Sequence, residues 1–297
     1  MPPWQKVKSQ MTTEPIILEI NGLRHRVFVS GEGRPVLLLH GWPDSAALWR
    51  DVIPHLTEQG YRTIAPDLRG FGETDAPAAT KSYKAERIAD DILKILDALN
   101  VREPVDIVGH DWGSVMGWYL TLLHDERVNS FVAYSVGHPN AFTRAGFRQI
   151  AHSWYMLLYE LRYVAEWLFR ANGYWLMRKV ANYQPETKNW LRDLSREGRL
   201  SAGMKWYRAN LVPGLFTNYG RCQRPVMGVW GSEDHTAQEK QMKTTAKYMD
   251  GPWRYERLEG VGHWIPLEQP KRTAEFALEW FGEHREASTA EALQPTP

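Results

Sequence analysis

The sequence predicts an α/β fold on a mostly parallel sheet, interrupted by a helical insertion. Three observations lead there. Short strand-like runs alternate with stretches of helical periodicity. Several of those runs are continuously apolar, as strands buried on both faces are. Between about Asn140 and Arg221 the alternation stops, and a helical stretch crowded with Trp, Tyr, Leu and Arg takes over.

The elements follow in order. Ile16 to Ile20 and Arg24 to Val29, joined through Asn21-Gly22, read as a hairpin. Val36 to Leu39 and Arg62 to Ala65 read as buried strands, the second leading into Pro66-Asp67. Glu86 to Leu99 places Ile88, Ile92, Ile95, Leu96 and Leu99 on one helical face. Val105 to Val108 is a strand, Gly113 to His124 a helix and Val128 to Val136 a strand. Within the insertion Pro185 and Pro213 interrupt the helices. Val226 to Trp230 resumes the alternation, followed by a helix near Gln238 to Tyr248, a strand at Trp253 to Leu258 and a helix at Lys271 to Phe281. The division this predicts is a core of 15–139 and 222–284, a helical cap of 140–221, and loose ends at 1–14 and 285–297.

Composition excludes several functions. The chain has 297 residues, 36 Lys+Arg and 35 Asp+Glu, so no basic field suits nucleic acid and no polybasic membrane patch is expected. The longest apolar runs span a few residues, too short for a bilayer, and Met1 to Glu14 does not read as a signal peptide. A single cysteine, Cys222, forms no internal disulfide, which points to a reducing compartment, the cytoplasm. There is no Cys/His cluster at metal-ligand spacing and no phosphate-binding glycine loop, so neither a metal nor a nucleotide cofactor is expected. The 14 tryptophans are the compositional oddity.

The chemistry gathers in three loops. Gly109-His110-Asp111-Trp112-Gly113 joins a strand to a helix, the setting of the nucleophile elbow G-x-S-x-G, with Asp in place of Ser. An Asp at a helix start is also a common N-cap. His263 lies in Gly260-Val261-Gly262-His263-Trp264 after the last strand, and Asp234 in Gly231-Ser232-Glu233-Asp234-His235 after Val226 to Trp230. The chain order nucleophile, acid, His is that of α/β-hydrolases. No acidic residue follows the strand ending at Val136, so Asp234 has no obvious rival. His40-Gly41-Trp42-Pro43 follows the strand Val36 to Leu39, where the backbone N–H groups of Trp42 and Trp112 would form an oxyanion hole.

These motifs, with Asp67-Leu68-Arg69-Gly70-Phe71-Gly72, resemble the α/β-hydrolase-fold epoxide hydrolases over most of the chain, from about Glu14 to Glu283. The resemblance implies an Asp111 nucleophile, His263 as base oriented by Asp234, and two cap tyrosines that protonate the epoxide oxygen. Lys205-Trp206-Tyr207-Arg208 matches one tyrosine segment and gives Tyr207. Ser153 to Tyr159, followed by Val164-Ala165-Glu166, matches the other and gives Tyr155, with Tyr159 as the alternative. Haloalkane dehalogenases share the architecture and the Asp, but typically carry Asn where this chain has Trp42; they are the second reading. A small-molecule binding protein with a vestigial site is the third.

The implied partners are a small apolar epoxide and water, with Trp42, Trp112 and Trp264 lining its site and no cofactor. The protein would act as a monomer or homodimer. The cap tryptophans Trp154, Trp167, Trp175, Trp190 and Trp206 would exclude water or pack between helices. Arg144, Arg148, Arg162, Arg170 and Arg178 read as a solvated face. Asp67 to Thr74 reads as a loop at the sheet edge, and His40 and His110 as structural hydrogen-bonding residues.

Overall fold

A computed structural model describes residues 14–146, 154–181 and 183–285. The loose ends expected at 1–14 and 285–297 lie almost wholly outside the described residues, as do Ser153 and Arg148.

Eight strands form one sheet: β1 (Ile16–Ile20), β2 (Leu23–Ser30), β3 (Arg34–Leu39), β4 (Tyr61–Pro66), β5 (Val105–His110), β6 (Val128–Tyr134), β7 (Val226–Gly231) and β8 (Trp253–Leu258). Their order is β1-β2-β4-β3-β5-β6-β7-β8. The β1–β2 and β2–β4 pairs are antiparallel, and every other pair is parallel. Val36 and Leu38 face one hydrophobic cluster and Leu37 and Leu39 the other, which is why β3 reads as an unbroken apolar run.

The described helices are α1 (Ile53–Thr57), α2 (Ala85–Ala98), α3 (Trp112–Leu123), α4 (Pro139–Thr143), α5 (Trp154–Tyr159), α6 (Val164–Ala181), α7 (Gln184–Ser195), α8 (Arg199–Phe216), α9 (Glu239–Thr245), α10 (Ile265–Glu268) and α11 (Pro270–Glu283). α2 buries Ile88, Ile92, Ile95 and Leu96 against the sheet, the face its spacing predicts. α6 is broken at Ala171–Tyr174, where Asn172, Gly173 and Tyr174 adopt positive φ.

Three local expectations need correction. The strand read as Val128 to Val136 stops at Tyr134, because Ser135 turns to a φ of 68° and leaves the extended region. Pro213 does not interrupt its helix as expected: α8 runs from Arg199 to Phe216 with the proline inside it. Asp67 to Thr74 follows β4, an interior strand, so it lies at the carboxyl end of the sheet and not at its flank. There the buried Asp67 carboxylate accepts hydrogen bonds from Arg26, Ala46 N and Glu73 N.

The chain leaves β3 for β4 on one side and returns to β5 on the other. Open α/β sheets form crevices at the carboxyl ends of strands where the order reverses in this way. His40–Pro43 leaves β3 and Asp111 leaves β5 at that point.

The inserted helices α5 to α8 join the sheet through indole donors. Trp206 Nε1 donates to Arg69 O at 2.9 Å, Trp190 Nε1 to Asp44 Oδ2 at 3.1 Å, and the core Trp264 Nε1 to Ala181 O at 2.8 Å. Arg50 of the core pairs with Glu186 at 2.8 Å. The five insertion tryptophans therefore divide. Trp190 and Trp206 are buried at the junction, whereas Trp154, Trp167 and Trp175 are exposed, contrary to a water-excluding role.

Candidate active site

Asp111 sits between β5 and α3 with φ 54° and ψ −120°, a conformation costly for any residue but glycine. Gly113 makes the turn possible: a Cβ there would overlap the Leu39 carbonyl. Asp111 makes no side-chain cap bond to α3, so the N-cap reading fails and its carboxylate is turned outward. Ser114 Oγ ties the turn down by donating to the carbonyls of Gly109 and Tyr134.

Asp111 Oδ1 accepts the Trp42 N–H at 2.9 Å, and the Trp112 N–H also favours the carboxylate. Asp111 Oδ2 lies 3.6 Å from His263 Nε2. On the other side of the imidazole, His263 Nδ1 is 2.8 Å from Asp234 Oδ2. Asp234 Oδ1 meanwhile accepts from Thr236 N and Ala237 N, so one carboxylate both caps its turn and holds the histidine. The His263 carbonyl accepts from Ser135 Oγ at 3.0 Å and pairs with His110 Nε2 at 2.9 Å. A carbonyl can only accept, so His110 carries its proton on Nε2. His40 is likewise structural, accepting Leu68 N at Nε2 and meeting Gly41 O at Nδ1.

These contacts set the charges. Burial pulls the His263 pKa down, but the Asp234 and Asp111 carboxylates outweigh it and raise the group to about 10. Burial pushes Asp111 upward, yet hydrogen bonding and charge from His263 leave it below the ordinary carboxylate value. The resting site is thus an imidazolium between two carboxylates. Burial, and next the His263 charge, bring His110 down to about 4, so it stays neutral.

A pocket opens over this group, lined by Trp42, Pro43, Asp111, Tyr155, Val180, Ala181, Tyr207, Thr236, His263 and Trp264. Tyr155 comes from α5 and Tyr207 from α8, with ring centroids 6.4 Å apart. Burial and the nearby Asp111 carboxylate raise both phenols well above their usual pKa. Tyr159 is one turn further along α5, with its ring 4.8 Å from Tyr207. It is fully buried, is absent from the pocket lining, and its hydroxyl has no hydrogen-bond partner. Trp112 packs edge-on against Tyr207 at 5.0 Å.

The structure therefore brings Asp111, Asp234, His263, Trp42, Trp264, Tyr155 and Tyr207 together, while Trp112, expected to line the site, packs beside Tyr207 outside the pocket lining, and Tyr159 is outside it too. Sequence reading did not single out Val180, Ala181 or Thr236, whose residue types carry no chemical signal. It also passed over Asp44, which is buried behind the site, pushed up to about 7 by burial and hydrogen-bonded to Trp190. Among the described residues no group of three His, Cys, Asp or Glu side chains could hold a metal ion. No helix among them is long and apolar enough to cross a membrane.

The chain belongs to the α/β hydrolase fold family, whose model matches residues 34–270. It is similar to epoxide hydrolase 4 of Homo sapiens, 29% identical over 268 residues, covering 84% of this chain and 73% of that protein. Epoxide hydrolase A of Mycobacterium tuberculosis is 27% identical over 314 residues, covering 89% and 96%. Among solved structures, epoxide hydrolase VrEH1 of Vigna radiata superposes with a TM-score of 0.79 at 26% identity, covering 91% of this chain and 98% of that one.

Proposed function

We propose that this hydrolase opens an apolar epoxide to a vicinal diol through an ester on Asp111. One observation carries the reading: an Asp111–His263–Asp234 line faces two protonated tyrosines across a single pocket. A halide leaves as a weak base and needs only N–H donors, whereas an opening epoxide becomes an alkoxide and needs a proton. The raised pKa values of Tyr155 and Tyr207 suit that acid role. The epoxide hydrolase names of the relatives favour it over dehalogenation.

Asp111 Oδ1 is engaged by Trp42 N–H, so Oδ2 is the oxygen free to attack. It bonds to an oxirane carbon, the carbon–oxygen bond breaks, and the ring oxygen takes a proton from Tyr155 or Tyr207. Ester formation removes the Asp111 charge that helped raise the His263 pKa. His263 then releases its proton, which restores the tyrosine, and its neutral Nε2 can accept a proton from water. The resulting hydroxide adds to the ester carbonyl. Charge develops on Oδ1, which the Trp42 N–H already reaches, with the Trp112 N–H beside the same carboxylate. Collapse expels the alkoxide, which takes the proton of the new Asp111 carboxylic acid to complete the diol, and the proton kept on His263 restores the resting pair.

The inserted helices act as a cap in this scheme, and the single, buried Cys222 fits a reducing compartment. The test is a panel of aliphatic, aromatic and terpene-like epoxides with haloalkanes as controls, run on the wild type and on Asp111→Ala. Diol formation that disappears in the variant is expected. Halide release without diol formation, or appreciable turnover by Asp111→Ala, would overturn the proposal.

A further inference from the structure

The insertion has an outer face that the reaction does not use. From Trp154 to Trp167 the chain buries Tyr155, Tyr159 and Ala165, while Trp154, Leu157, Leu161, Tyr163, Val164 and Trp167 are exposed, Trp167 to 68% and Tyr163 to 84%. Single exposed apolar side chains are ordinary, but a run of this density along one short stretch marks an interaction surface.

The fully exposed charges of Trp154–Ala181 are all cationic. Arg162, Arg170, Arg178 and Lys179 are exposed. The carboxylates of Trp154–Ala181, Glu160 and Glu166, are only partly exposed, and Glu166 is paired with Arg208 at 2.6 Å. Lys179 Nζ stands 5.3 Å from the ring centroid of Trp175, itself 57% exposed, so cation and aromatic share one exposed site.

We propose that this face docks on an anionic lipid surface. Trp and Tyr settle at headgroup level, where one end of the ring is apolar and the other wet, and Arg and Lys reach the lipid phosphates. A second copy of the chain fits less well, since a two-fold contact through this face would set cations against cations. The docked face is the back of the site. α5 turns Trp154 and Leu157 outward and Tyr155 into the pocket, and α6 ends at Val180 and Ala181 in the pocket wall. Docking thus brings the pocket to the layer in which an apolar epoxide concentrates; only this purpose rests on the proposed reaction.

The experiment is co-sedimentation of the full chain with phosphatidylcholine vesicles, with and without phosphatidylglycerol. Binding to the anionic vesicles, reversed by high salt, is expected. Two double variants, Trp167→Ser with Trp175→Ser and Arg170→Glu with Arg178→Glu, should each bind about tenfold more weakly or worse. Both should hydrolyse a water-soluble epoxide at the wild-type rate, which shows that they are folded. No binding to anionic vesicles, or wild-type binding by both double variants, would overturn the proposal. So would a concentration-dependent dimer that Trp167→Ser abolishes. Vesicle binding by a protein that hydrolyses no epoxide would leave the docking face standing and remove the proposed reaction.

Discussion

Gly203 lies against the indole of Trp42: a Cβ at that position would overlap Nε1 and Cδ1 of the ring. One residue belongs to α8 and the other to the loop whose N–H holds Asp111. The contact sets how closely the helix carrying Tyr207 approaches the core. Trp42 Nε1 has no hydrogen-bond partner, being turned toward this helix and away from polar groups.

Gly203→Ala should therefore push α8 outward and carry Tyr207, one turn along, away from the oxirane oxygen. Overpacking of this kind costs about 1–3 kcal/mol. Thermal unfolding should register that loss, and kcat/KM on a good epoxide should fall by about tenfold or more, with the larger part in kcat.

The three lid tyrosines should separate cleanly. Tyr155→Phe and Tyr207→Phe each remove a proton donor in the pocket, and each should lower kcat by about a hundredfold. Tyr159→Phe removes a buried hydroxyl that has no partner, so it should leave turnover near wild type and hold or raise the unfolding temperature. A Tyr159→Phe loss matching that of Tyr155→Phe would reassign the first tyrosine.

Asp234→Asn keeps an oxygen for the Thr236 and Ala237 N–H groups but removes the charge that holds His263. Alkylation of Asp111 should survive while hydrolysis slows, by about a hundredfold or more. Intact-protein mass spectrometry should then find the ester adduct accumulating during turnover, and His263→Gln should show the same adduct more completely.

The pH dependence of stability has a definite sign. His263 titrates from 6.5 in the unfolded chain to about 10 in the fold, so its contribution is complete below about 6.5 and is lost as pH rises toward 10. The unfolding temperature of the wild type should fall across that window. His263→Gln should flatten the decline, and an unchanged slope in the variant would place the titrating group elsewhere.

Much of this was legible because it is local. The glycines of Gly109-His110-Asp111-Trp112-Gly113 answer a backbone requirement of the turn itself, and the apolar run of β3 answers burial on both faces. α2 announces itself by spacing, since Ile88, Ile92 and Ile95 must share a face. The positive φ of Ser135 that ends β6 left no such mark: a serine tolerates several conformations, and neighbours outside the strand choose among them.

By itself the sequence determined the α/β class, the order of the elements and the three loops that supply Asp111, Asp234 and His263, because turns and periodicity are properties of neighbouring residues. Only the tertiary structure separated the positions of Tyr155 and Tyr159, which lie one turn apart on the same helix with similar surroundings in the chain. It set Tyr155 in the pocket lining and left Tyr159 out of it, packed against Tyr207 and Trp42. It likewise divided the tryptophans between the junction and the outer face of the insertion. Which side of a helix is covered depends on what packs against it, and that partner lies far away in the chain.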